Sequence, residues 1–328
     1  MMLQLLRRAV PLMAAVAAAL LPAAGHANQY PSKVVTVIVP YSAGGSVDAV
    51  GRMLAQGLGQ SLGQPFVVEN RVGASGNIAA ARVAKAEPDG YTLLVHNAAA
   101  VASNISAFKE LTFDPRKDLT PVAIVANQPG VLVVNPKLPV NTVQEFIDYA
   151  KSRPGELNYG VGGVFGVTHT PAVLFSMKTG IKAEPVMYKG MAPAITDLVS
   201  GQIDFMFDTA PTSLPFINDG RLRILGVTSD HRMEAIPDVP TIAESGVPGY
   251  VFNSWIGMSA PSGTPPEIID QLNSRINEML ADPDFQKKLA EYGLEPSKGL
   301  STEEFGRFIE TEIDLYADIV RESGIPPM

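Results

Sequence analysis

Ser42-Ala43-Gly44-Gly45-Ser46 is a run of small residues with a hydroxyl at each end. It follows an apolar stretch, Val34–Val39, and precedes one of helical periodicity, Val47–Leu58. A strand that enters a helix through such a turn aims several unpaired backbone N–H groups at whatever occupies the turn. The chemistry this suits is capture of a carboxylate by N–H groups and serine hydroxyls. The plainer reading is a tight β-to-α turn with Ser46 as its N-cap. On this turn alone the two readings stand even. Asp48 falls in the first helical turn, where a negative charge suits the positive helix end, and holding the turn is its alternative role. The device recurs one unit later, from Asn70 through Gly73, Ala74, Ser75, Gly76 and Asn77. Two such turns at the carboxyl ends of neighbouring strands favour a ligand site, because open α/β sheets bind ligands there.

Other chemistry-bearing residues are sparse. Beyond residue 27 the histidines are His96, His169 and His231. His169 begins a helix beside the Gly-rich run Gly160–Gly166. It reads equally as a donor to a bound carboxylate and as a polar residue opening a helix. His96 closes a strand before Asn97 and Ala98 and is placed at the border of the same cleft. His231 lies in a charged Asp-His-Arg run and reads as a solvated loop. Asp208 ends a strand and reads as a cap for the next helix or as a cleft acid accepting from a ligand N–H or O–H. Phe165 reads as a packing residue, with a stacking platform for an aromatic ligand as the alternative. The glycines at 160 and 162 invite a dinucleotide reading, but position 165, where the third should stand, is Phe, and no acidic residue follows at the required spacing. There is no phosphate-loop sequence, no G-x-S-x-G elbow and no metal-ligating motif. No catalytic residue, cofactor or metal is therefore assigned.

The elements that must position these residues follow an alternating order. Strands are read at Val34–Val39, Phe66–Asn70 and Tyr91–His96, with helices at Val47–Leu58 and Ile78–Ala86. Such alternation predicts a parallel sheet covered by helices on both faces. Near Thr120 the pattern changes to two apolar runs, Val122–Val125 and Val131–Val134, with Asn127-Gln128-Pro129-Gly130 between them. Thr142 and Glu145 form a capping-box pair for a helix to Lys151. Strands at Leu157–Gly160, Glu184–Tyr188, Ile203–Phe207 and Leu222–Val227 then alternate with helices at Thr168–Lys178 and Ala192–Ser200. Helices Pro266–Ala281, Pro283–Tyr292 and Thr302–Ser323 complete the chain. The organisation expected is a discontinuous first lobe, residues 28–125 plus 228–328, and a second lobe, 126–227, with paired crossings about which a cleft can close.

The first 27 residues read as a secretory signal. Arg7 and Arg8 precede the apolar stretch Ala9–Leu21, and Gly25-His26-Ala27 places cleavage after Ala27. Removing 27 residues from 328 leaves 301, enough for two lobes, and moves the net charge from −8 to −10. An acidic surface without a basic block is a poor partner for nucleic acid or anionic membranes. Cysteine is absent, which removes disulfides, thiol nucleophiles and lipid attachment at a mature N-terminal Cys.

The ordered set Tyr30-Pro31, Pro40–Asp48, Glu69–Gly76, Pro88–Leu93, Tyr188–Ala194, Asp197-Leu198, Gly201–Asp204 and Pro240–Gly246 resembles the periplasmic receptors of tripartite tricarboxylate transporters, the Bug or TctC-like family. The resemblance spans the chain after the signal. It implies an α/β, two-lobed periplasmic-binding-protein-like fold, each lobe a mainly parallel sheet flanked by helices, with the ligand cleft between the lobes. It further implies a monomeric, exported solute-binding receptor that closes on a small organic carboxylate (di- or tricarboxylate, amino-acid-like or aromatic). Integral-membrane transporter subunits are the implied partners. Carried onto this sequence, Ala43, Gly44 and Ser46 with Ala74 and Gly76 hold one carboxylate. His96, Asn97 and Ala98 line that lobe, and Gly162, Gly163, His169, Tyr188 and Asp208 line the other. Tyr41, Ser42, Gly45, Asp48, Ser75, Asn77, Phe165 and Thr168 complete the candidate set. Val164, Phe165 and Val167 make the Gly162–Thr170 turn more apolar than is usual in the family, which hints at an apolar or aromatic ligand body. Two alternatives are a ligand-sensing subunit for a signalling protein and a periplasmic hydrolase using Ser46 or Ser75.

Overall fold

The computed structural model describes residues 30–188 and 191–328. The expected signal over residues 1–27 and the pair Lys189-Gly190 lie outside them. The first part of the chain is built as expected. Strands β1 (Val35–Val39), β2 (Phe66–Asn70) and β3 (Thr92–Asn97) pair in parallel with β1 in the middle. Helix α1 (Ser46–Leu62) returns the chain from β1 to β2 and stops at Gly63, whose φ of 73° only glycine adopts readily. Helix α2 (Asn77–Ala84) follows β2. The segment after β3 was not anticipated as helix. It is π-wound over Ala99–Ser103 and α-helical over Asn104–Ala107, together α3, and a single turn, α4 (Pro115–Asp118), precedes the next strand.

The two apolar runs expected near residue 122 and residue 131 are one 16-residue strand, β4 (Leu119–Val134). Pro129 lies in the Asn127–Gly130 stretch that separates the two runs in the sequence, and a proline cannot donate to a ladder. It is tolerated here because it sits where the strand changes partners. Leu119–Pro129 pairs with β9 (Asn253–Pro261), and Gly130–Val134 pairs with β7 (Phe205–Thr209). Strand β4 thus belongs to both segments of the sheet. The order is β2-β1-β3-β9-β4-β7-β5-β6, with β5 at Asn158–Val161 and β6 at Glu184–Met187. Strands β8 (Arg223–Val227) and β10 (Glu295–Pro296) also pair with β4. In the first segment β2, β1 and β3 run together against β9; in the second β7, β5 and β6 run together against β4.

Strand β9 is the central element that the sequence pattern concealed. Its periodicity is interrupted at Gly257 because a helix packs hard against it: a Cβ on Gly257 would lie 2.6 Å from the Phe305 ring and 3.0 Å from the Ala123 carbonyl oxygen. The remaining helices are α5 (Val143–Lys151), α6 (Thr170–Thr179), α7 (Met191–Ser200), α8 (Ala210–Asn218), α9 (Pro266–Leu280), α10 (Pro283–Glu291) and α11 (Thr302–Ser323). At α5 the Thr142 hydroxyl caps Glu145 N, while the Glu145 carboxylate reaches Asn141 N, so the expected box is displaced by one residue on its return bond. Helices α1 and α9 cover one face of the first segment through Val50, Leu54, Ile269 and Leu272. The opposite face carries a core continuous through both segments, from Ile38 and Leu94 to Phe146, Phe175 and Phe205, and α11 packs on it through Phe305, Ile309 and Ile313.

Candidate functional site

The parallel strands put their carboxyl ends, and the helix N-termini that follow, at common edges. In the first segment β1, β2 and β3 feed α1, α2 and α3; in the second β5, β6 and β7 feed α6, α7 and α8. The two edges meet at the β4 crossing. A Cβ on Gly163 would stand 3.6 Å from Ser75 Oγ, so the Gly162–Thr168 turn of one segment faces the Ala74–Gly76 turn of the other.

The first turn is held from within. The Gly44 N–H donates to Asp48 Oδ2 at 2.9 Å, Arg52 donates through Nε at 2.9 Å and Nη2 at 3.0 Å, and Asn70 Nδ2 donates to Asp48 Oδ1 at 2.8 Å. The Asn70 amide also reaches the Tyr41 carbonyl at 2.9 Å. Burial alone would raise the Asp48 carboxyl, but the bonds from Arg52, Gly44 and Asn70 hold it below its usual range. Asp48 is therefore the clamp of the turn, the role that sequence reasoning ranked second. Gly44, at φ 91°, gives its amide to that clamp. The α1 N-terminal amides of Gly45, Ser46 and Val47 remain as the donors available to a ligand. Ser42, Ala43, Gly44 and Gly45 are exposed, and Ser46 is half-buried.

The second turn is strained. Gly73, Ala74, Ser75 and Gly76 all have positive φ, at 144°, 47°, 53° and 96°. Two of the four carry a Cβ, each costing about 1–2 kcal/mol in this region. Asn104 Nδ2 fastens the turn by donating to the Ser75 carbonyl at 3.0 Å and to Asn77 Oδ1 at 2.7 Å. Strain in a turn that surrounding bonds over-determine is a mark of a functional site. At the end of β3, Asn97 Oδ1 accepts from Tyr41 Oη at 2.6 Å and from Ala99 N at 3.1 Å. Ala98 is buried beneath them. His96 is fully buried: Nε2 bonds Ser259 Oγ at 2.9 Å, the ring edge meets Trp255, and burial pushes its pKa down to about 4.

The opposing turn is equally self-bonded. Gly162 N donates to Thr168 Oγ1 at 3.0 Å, Gly166 N to the Gly163 carbonyl at 3.1 Å, and Phe165 N to His169 Nδ1 at 3.0 Å. The last bond fixes the imidazole: Nδ1 must be the acceptor, so the neutral ring carries its proton on Nε2. Burial pushes the His169 pKa down to about 4, and Nε2 is buried without a partner among the described residues. Phe165 adopts φ 50°, and its ring is fully buried against Ala107, Val173, Ile319 and Val320. What it presents to the turn is backbone, and Ser103 Oγ donates to its carbonyl at 2.7 Å. Tyr188 turns its hydroxyl to Asp197 at 2.8 Å; burial and that carboxylate push its pKa up to about 12. Asp208 is buried, with Oδ2 accepting from Thr212 and Ser213, both at 2.6 Å, and Oδ1 unpartnered. Burial raises its carboxyl above the usual range.

Three contributors escaped sequence reasoning: Ser103, Asn104 and Gln128. Gln128 Nε2 donates to Ser46 Oγ at 2.6 Å. Its one signal in sequence is a polar side chain inside an apolar β run. No basic side chain accepts a proton from Ser46 or Ser75 among the described residues, and no cluster of three metal-ligating side chains forms among them. A groove of about 810 Å³ beside Thr142, Leu225 and Val239 lies away from these turns.

Residues 50–325 match the family described as tripartite tricarboxylate transporter family receptor. Protein BugT of Bordetella pertussis is 38% identical over 299 residues, 91% of each chain. The R. palustris protein Rpa4515, solved with adipate, superposes with a TM-score of 0.85 at 39% identity, over 91% of this chain and 100% of that one. MatC of Rhodopseudomonas palustris, solved with malate, gives 0.80 at 32% identity, over 89% and 100%.

Proposed function

The chain belongs to the tripartite tricarboxylate transporter receptor family, and we propose that it captures one small organic carboxylate in the periplasm and delivers it to the membrane subunits of such a transporter. One observation carries the reading: the 73–76 turn, with positive φ throughout, and the 162–168 turn, with Phe165 at φ 50°, face each other across Ser75 and Gly163. Each is locked by side chains outside it, which leaves helix N-termini aimed between them. The relatives solved with adipate and malate support the carboxylate class.

In this reading residues 28–125 with 228–328 form lobe one and residues 126–227 form lobe two. The charged head of the ligand lies against the α1 amides, Ser46 and the Ala74–Asn77 turn, with Tyr41, Asn97 and Ala98 behind. Its body reaches toward Gly163, Thr168 and the buried polar atoms of His169 and Asp208. Closure follows from a ligand that touches both lobes, because only differential contact shifts the open–closed balance. The protein acts as an exported monomer that binds without transforming its ligand.

A thermal-melt and calorimetric screen with malate, succinate, adipate and benzoate tests this. A bound ligand at about a hundred times its Kd stabilises by about 2.7 kcal/mol, a rise of about 4 °C for a chain of this size. Neither a melting shift nor heat from any of the four, up to millimolar concentration, would overturn the assignment.

A further inference from the structure

Gln128 is 4% exposed on β4, at the crossing between the sheet segments. It lies in register with Ser254 of β9, whose buried hydroxyl has no partner among the described residues. Its amide spans 82 residues of sequence to reach Ser46 Oγ at 2.6 Å. We propose that Gln128 is a positioning residue for carboxylate binding: by donating to Ser46 Oγ it commits that hydroxyl to act as a donor toward the bound anion.

The argument is a count of protons and lone pairs. A serine hydroxyl has one hydrogen and two acceptor sites. The Gln128 N–H occupies one acceptor site, and no described group accepts the Ser46 hydrogen. The hydrogen is then free to join the Gly45, Ser46 and Val47 amides at the α1 N-terminus, where an oxyanion is favoured. Without Gln128, no protein group fixes the rotation of that hydroxyl, which can then turn a lone pair toward the anion instead of its hydrogen. Neither residue is charged, so the effect lies in the direction of one O–H dipole. The pair also ties the first turn to the crossing strand, so the donor keeps its place as the cleft closes.

This rests on the carboxylate reading, and the test separates the two. Adipate and malate are titrated calorimetrically into the purified protein and into Ser46→Ala, Gln128→Ala, their double variant and Gln128→Glu. Loss of one hydrogen bond to a charged group weakens binding about tenfold or more, expected for Ser46→Ala, with a several-fold loss for Gln128→Ala. Because Gln128 acts through Ser46, the double variant binds within about twofold of Ser46→Ala. Gln128→Glu keeps shape and reverses polarity: its carboxylate takes the Ser46 hydrogen and repels the ligand. Binding at pH 8 falls about thirtyfold or more. Relative to wild type at each pH, it recovers toward pH 5.5, as the buried carboxyl gains a proton and donates to Ser46 again. A purely packing role would give no such pH-dependent recovery. Losses that multiply in the double variant, or wild-type affinity for Gln128→Glu at pH 8, overturn the proposal while leaving the receptor reading intact. If wild type binds neither ligand, the same variants are titrated with succinate and benzoate, and if it binds none of the four, both readings fall. Should Gln128→Ala not fold, Ser46→Ala and the isosteric Gln128→Glu still decide the matter.

Discussion

Replacing Phe165 separates its ring from its backbone. The ring is fully buried among Ala107 of α3, Val173 of α6, and Ile319 and Val320 of α11. It therefore joins elements from three parts of the chain. Emptying such a site, Phe165→Ala, costs about 3–5 kcal/mol, or about 5–8 °C in melting temperature for a chain of this size. The backbone adds a second, finer expectation. At φ 50° any residue with a Cβ is strained, by about 1 kcal/mol or more. Phe165→Gly removes the same ring and also that strain. Glycine's greater freedom when unfolded opposes this by about 0.4–1 kcal/mol. The two terms nearly cancel, so Phe165→Gly should match Phe165→Ala or exceed it slightly, reversing the usual order in which glycine is the worse choice. Ligand affinity should fall in both, because the Ser103 and His169 bonds to this residue hold the turn only while it stays in place. Urea unfolding of the three proteins is the assay. A Phe165→Ala variant less than about 1 kcal/mol below wild type would refute the burial argument, and a glycine variant more than about 1 kcal/mol below the alanine one would refute the strain argument.

Two further outcomes are specific. Asp48→Asn replaces one carboxylate oxygen by a donor, facing the donors of Arg52 and Asn70. It should cost about 2 kcal/mol, mostly through Asn70, because the half-exposed Arg52 regains water and the remaining oxygen still accepts from Gly44. Differential scanning calorimetry showing an unchanged melting point would mean that this carboxylate does not clamp the turn. His96 and His169 are held neutral, with folded pKa values of about 4, while unfolded chains protonate near 6.5. The unfolded state then binds more protons between those values, so stability is full above about 6.5 and falls as pH is lowered toward 4. Each histidine accounts for about 2 kcal/mol of loss by pH 5. Denaturant unfolding at pH 7 and pH 5 should show a smaller difference in His96→Gln than in wild type, and an equal difference would contradict the burial of a neutral ring.

What could be read from the sequence, and what could not, divides along contact range. The β1–turn–α1 unit is local: an apolar run, a glycine pair and a first-turn acid lie within fifteen residues, and the expected strand and helix formed within a few residues of their predicted ends. Strand β9 is not local. Its Gly257 is small because Phe305 packs on it from α11, so its periodicity was broken by a partner far along the chain. Pro129 misled for a similar reason, since only the sheet reveals that β4 changes neighbours there. Within the site, the Gly-rich turns were legible as turns. Which of their amides are free was not, because that depends on Asp48, Thr168 and His169 accepting some of them.

That division of amides bears on how an acidic protein holds an anion. Arg52, the cation beside the first turn, is bound to Asp48, so in the proposed site the α1 terminus would face its ligand with dipoles. Dipoles fixed by internal bonds need little rearrangement when an anion arrives, whereas a long cationic side chain must be ordered. The amides of Gly44, Gly162, Phe165 and Gly166 serve this end by bonding inward. They keep the turns rigid, and the remaining N–H groups inherit a fixed direction. An isolated anion in such a cradle gains from every donor aimed at it, and a ligand group with hydrogens of its own finds no acceptor among those amides. In the proposed site, the first two turns would then select for a carboxylate as a chemical group. Discrimination among carboxylates would fall to the opposite wall, where the neutral His169 ring and the buried Asp208 carboxyl each leave one polar atom without a partner among the described residues.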